Sequence, residues 1–132
     1  MCLKVGNNTK IETAQEDIIC YKVFRTETYS GRFGLLSPYR KMKYIPDVLY
    51  TLEKPLEIDS TTWLYPIVEK GFHSFVSRES AHMFLDDYYV RKPAILKCKI
   101  PKGAKFVRGI FRFYGFDYES ICSDQIIVLE SV

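Results

Sequence analysis

The sequence predicts an α+β fold: mainly an antiparallel sheet of about six strands, with one clear helix at about residues 78–89. Three observations carry this. Short apolar runs with period-two alternation recur along the chain, one stretch alone shows helical spacing, and Pro or Gly punctuates the intervals. An aromatic share of 15%, from ten Tyr, nine Phe and one Trp, suits half-buried strands.

Residues 6–13 are polar and rich in Asn and Thr, which predicts an arm or loop. Along residues 18–25, Ile18, Cys20, Lys22 and Phe24 alternate with Ile19, Tyr21, Val23 and Arg25. Both sets are largely apolar, as in a central strand. Residues 26–37, with Gly31 and Gly34, read as a loop or an irregular hairpin. Pro46 forbids an unbroken helix over 41–52, leaving a short strand or turn on either side of it. Residues 53–61 form a polar linker, and 63–68, apolar around Pro66, an edge strand or extended segment.

Residues 72–76 form a short apolar strand around Ser74. Ser77 is a good N-cap, and Glu79 suits the positive end of the helix that follows. Ala81, Phe84, Leu85 and Tyr88 recur at helical spacing, and Pro93 bars continuation. Residues 94–100 make a strand, Pro101-Lys102-Gly103 a turn, and 105–114 a second strand interrupted by Gly109. A polar loop through Asp117, Glu119 and Ser120 precedes a last strand at 125–130.

A chain of 132 residues, 47% of them hydrophobic, fits one domain over 1–132. The net charge is only +3 and the cations are scattered, so there is no strong nucleic-acid signal. No apolar run approaches a membrane span, and Met1-Cys2-Leu3-Lys4-Val5 does not resemble a signal peptide. The four cysteines form no Cys-x-x-Cys pair, and Cys20, Cys98 and Cys122 lie in apolar runs. They read as reduced core thiols of a cytoplasmic protein.

Gly71-Phe72-His73-Ser74-Phe75, with Ser77 behind it, gathers an imidazole and hydroxyls at a strand-to-helix junction. His73 there is suited to contacting a sugar hydroxyl or moving a proton; the plainer reading is a histidine satisfied by backbone. Ser74, Ser77 and Ser80 can offer hydroxyls and N–H groups to a phosphate, or Ser77 can simply cap the helix. Arg40, in Ser37-Pro38-Tyr39-Arg40, suits an anion contact or an ordinary exposed turn. Tyr21 offers a stacking face. Asp117, Glu119 and Asp124 lack metal-ligand spacing, so no metal is expected and they read as a solvated loop.

The order of Ile18-Ile19-Cys20-Tyr21-Lys22-Val23, Gly71-Phe72-His73-Ser74-Phe75-Val76-Ser77 and Ser123-Asp124-Gln125-Ile126 resembles the mono-ADP-ribosyltransferase fold. That family cleaves NAD with an arginine on a first strand, a serine motif before a helix and a glutamate heading a late strand. Carried over, the serine falls at Ser74 or Ser77, while Lys22 stands in the arginine position and Gln125 in the glutamate position. The resemblance thus implies NAD or a related nucleotide as ligand rather than transfer. The chain also resembles a family of small uncharacterised proteins of gut bacteria and their phages. The shared residues are Met1-Cys2-Leu3, Glu16-Asp17-Ile18, Ser37-Pro38-Tyr39-Arg40, Gly71-Phe72-His73 and Ile100-Pro101-Lys102-Gly103. Two readings follow. One is a site for NAD or another small anionic ligand, bound by Tyr21, Arg40, His73, Ser74 and Ser77. The other is a non-enzymatic module, of bacterial or phage origin, that binds a host protein through exposed aromatics.

Overall fold

The computed structural model describes residues 3–29, 32–36, 43–60, 65–113 and 115–130. Among them, twelve strands join into one sheet. The first are β1 (Leu3–Lys4), β2 (Glu12–Thr13), β3 (Ile18–Tyr29), β4 (Arg32–Leu36), β5 (Lys43–Tyr44), β6 (Leu49–Thr51), β7 (Ile67–Val68) and β8 (Phe72–Phe75). Helix α1 (Arg78–Asp87) follows, then β9 (Pro93–Ile100), β10 (Lys105–Phe113), β11 (Phe116–Ser123) and β12 (Gln125–Val128). The strand order is β6-β12-β9-β3-β8-β11-β10-β1-β7, with β2 also on β10, and with β4 and β5 continuing from β3. Each of these pairings is antiparallel.

The α+β class and the mainly antiparallel sheet stand, but the expected six strands are too few. β1, β2, β5 and β7 hold two residues each and β6 three, too short for alternation to be read. Residues 12 and 13, expected within the arm, pair with β10. The expected loop through Asp117, Glu119 and Ser120 is in fact the middle of β11. Its polar residues misled because they are placed by alternation: Asp117 and Glu119 are exposed, whereas Tyr118 and Ser120 are buried. The helix ends two residues earlier than 89, because Tyr88, its C-cap, is extended at φ −141°. Ser77 caps the other end, its side chain accepting from the Ser80 N–H.

β3 organises the sheet. It pairs with β9 from Ile18↔Ile100 to Arg25↔Pro93. The Thr26 N–H donates to the Lys92 carbonyl, so hydrogen-bonded pairs fall at even positions of β3. Pro93 therefore sits where the ladder needs no N–H.

The two faces of β3 bury different cores. Cys20 and Phe24 join Phe72, Cys98, Ile100, Ile121, Ile126 and Val128 in the largest cluster, which Tyr44 also enters. Val23, on the opposite face, packs with Phe75, Phe111 and Tyr118 under Ala81 and Phe84 of α1. A third cluster joins Leu3, Val5, Leu56, Val68, Val107 and Cys122. Gly109 lets β1 cross close to β10: a methyl there would overlap the Lys4 carbonyl oxygen. Among the described residues, no helix is long and apolar enough to cross a membrane.

Candidate functional site

The segment 71–77 is built into the sheet more fully than its composition implies. Phe72 and Ser74 point to one face, His73 and Phe75 to the other, as strand alternation requires. Gly71 is pressed against β11, and a methyl there would overlap Cys122 Sγ and lie 2.8 Å from Leu56 Cδ2. The segment is therefore the filled interior of a junction.

Each polar side chain in it has an internal partner. His73 Nδ1 lies 3.1 Å from the Gly71 carbonyl and Nε2 3.3 Å from the Val68 carbonyl. A neutral imidazole carries one N–H and can donate to only one of them. Burial pushes the His73 pKa down to about 4, helped by the charge of Lys22 and opposed by the bonds to Val68 and Gly71. Ser74 is buried, with Oγ 3.5 Å from the Ile121 carbonyl and a hydrogen bond to Cys20. Ser77 Oγ donates to Ser80 Oγ at 3.0 Å while it accepts from the Ser80 N–H at 3.1 Å. Tyr21 has its ring face covered by the Arg78 guanidinium, 4.8 Å from the centroid. Arg78 is itself paired with Glu130 at 3.0 Å. Arg40 lies outside the described residues.

The least expected group is Lys22. Its position on β3 puts it among core residues, and it is only 7% exposed. Nζ donates to the His73 carbonyl at 2.6 Å and lies 5.6 Å from the centroid of the Tyr44 ring. Among the described residues it has no carboxylate partner. Burial drives its pKa down, and the nearby thiols of Cys98, Cys20 and Cys122 oppose the shift. Burial likewise pushes the Cys20 thiol up to about 11. Cys98 is raised too, chiefly by burial. Those thiols are therefore poor nucleophiles. Lys22 and Gln125 project from opposite faces of the sheet: Lys22 shares the side of Cys20 and Ile126, whereas Gln125 is aligned with Ile127 and Leu49.

No protein-family model, curated protein or solved structure matches this chain.

Two members of the expected acidic group, Asp117 and Asp124, are also engaged. Asp117 accepts from Arg112 at 2.7 and 3.1 Å, and Asp124 Oδ1 accepts from the Lys105 N–H. Arg112 holds the exposed Asp117 carboxyl below its ordinary range.

What faces solvent is different. The registers Leu49↔Ile127, Ile127↔Lys99 and Lys99↔Ile19 align four side chains in one row across β6, β12, β9 and β3. Ile19 is 43% exposed and Leu49 50%. The row lies on the same face as α1, but a ten-residue helix spans only about 15 Å and stops over Tyr21 and Val23. Sequence alone could not find this row. Apolar residues on both sides of residues 18–25 suggest burial on both sides, and only the position of the helix leaves Ile19 bare.

Proposed function

We propose that this protein is a non-enzymatic protein-interaction module that binds through the uncovered row Ile19–Lys99–Ile127–Leu49. The observation that carries the reading is the exposure of Ile19 and Leu49 on a paired, regular part of the sheet. Apolar residues fixed in a ladder form a flat surface whose burial contributes about 25 cal/mol per Å². The candidate ligand residues support the same reading from the other side. His73, Ser74 and Ser77 are taken up by internal hydrogen bonds, and Tyr21 by Arg78. The row is aliphatic apart from Lys99, whose ammonium lies 3.7 Å from the Asp17 carboxylate. Tyr89 and Phe116 are exposed aromatics apart from it.

A photo-reactive residue at position 19 tests this, with another at the exposed helix position Glu79 as control. A saturable, stoichiometric adduct at 19, lost when Leu49 is changed to Glu, is the expected result. Equal labelling at both positions would remove the reading. Calorimetry with NAD and ADP-ribose discriminates the nucleotide alternative, because saturable heat at millimolar ligand would favour it instead.

A further inference from the structure

Among the described residues the sheet ends at β6, and the way it ends specifies what can be added. The Leu52 N–H donates to the Asp124 carbonyl, in register with Tyr50↔Ile126. Antiparallel alternation then turns the N–H and C=O of Tyr50 toward β12 and those of Leu49 and Thr51 outward. Among the described residues, nothing pairs with that outer side. An open edge of this kind is complementary to peptide backbone.

The edge is held rigidly. Tyr50 Oη accepts from the Ile45 N–H at 2.7 Å, and the Tyr50 ring packs edge-on to the buried Tyr44 at 5.1 Å. Asp47, at φ 64°, turns the chain while its N–H donates to the Val128 carbonyl. Val48 and Leu49 are thereby displayed at 39% and 50% exposure, and Ile45 at 62%. Asp47 and Glu53 stand exposed on either side of the strand, with Lys54 beyond Glu53.

We propose that β6 takes an added strand from a partner protein: an extended segment with apolar side chains at its centre and a Lys or Arg near each end. The proposal rests on the module reading above and names the partner's form. The charges argue against a second copy of this chain. Antiparallel self-pairing that bonds Leu49 to Thr51 of the copy is centred on Tyr50, and it sets Asp47 against Glu53.

The test pans a random peptide library against the intact chain. Enriched peptides should show period-two apolar residues with basic ends. They should bind about tenfold more weakly to Thr51→Pro, which removes one outward N–H and leaves the β12 ladder whole. Leu49→Lys should weaken them at least as much and serves if Thr51→Pro unfolds. Peptides that bind the wild type but are indifferent to both variants overturn the edge proposal while sparing the module reading. Failure to enrich any peptide, together with no adduct at position 19, overturns both. A wild-type dimer dissociated by Leu49→Lys assigns the edge to a second copy and overturns the proposal.

Discussion

Mild acid is expected to destabilise this fold through His73. The unfolded chain binds a proton there near pH 6.5, whereas the folded ring resists until about pH 4. Stability from this group is complete above pH 6.5 and is lost as pH falls through that interval to about 4. At about 1.4 kcal/mol per pH unit, the interval between 6.5 and about 4 amounts to about 3 kcal/mol. That is a large share of the total for a small domain. The cause is geometric. The ring sits over its own strand, facing the carbonyls of Gly71 and Val68, with the Lys22 ammonium bonded to its own carbonyl. Urea unfolding across this pH range measures the effect in the wild type and in His73→Gln. The wild type should lose most of the 3 kcal/mol before carboxylates such as Asp117 and Glu130, both held below their ordinary range, begin to protonate. His73→Gln should lack that slope. A wild-type curve flat over the interval, or an equal slope in the variant, would refute the reasoning.

Lys22→Met is expected to leave the fold as stable, or up to about 3 kcal/mol more stable, because it replaces a desolvated amine by an apolar side chain of similar length. The wild type should also gain stability as pH rises toward 10.5, since the unfolded chain keeps the proton that the folded amine sheds; the variant should not, and a variant that loses several kcal/mol at neutral pH would contradict this account. Gly109→Ala should cost about 2 kcal/mol or more in denaturant unfolding, because the obstructing atom is the Lys4 backbone oxygen rather than a mobile side chain; an unchanged midpoint would count against the close crossing.

The long elements were legible because each repeats one period over several residues. β3, β9 and β10 alternate, α1 carries Ala81, Phe84 and Leu85 at helical spacing, and the cap at Ser77 marks its start. β11 was hidden because its outward residues, Asp117 and Glu119, are the types that also fill loops. The short strands draw their stability from neighbours: β2 pairs with β10, and β1 lies between β10 and β7. At the candidate site, residue types misdirected attention. His73, Ser74 and Ser77 have chemistry in reserve; the capping rule links Ser77 to Ser80, but no spacing rule links His73 to Val68 or Ser74 to Ile121. Lys22 carried a legible signal as the one charged residue on the Cys20–Phe24 side of its strand. The bare row required knowledge of where the helix stops.

The pairing of β3 with β9 also constrains the order in which the chain can assemble as it is synthesised. Ile18 meets Ile100, so the start of the longest strand has no β9 partner until most of the polypeptide has left the ribosome. Its other ladder partners within reach are β4 near its far end and Phe75 of β8. The β10–β11 hairpin, by contrast, closes through residues adjacent in the chain, with Phe113 opposite Phe116. This early strand is therefore among the last completed, and Ile18, Cys20 and Phe24 wait unburied in the nascent chain until the C-terminal half supplies their cover.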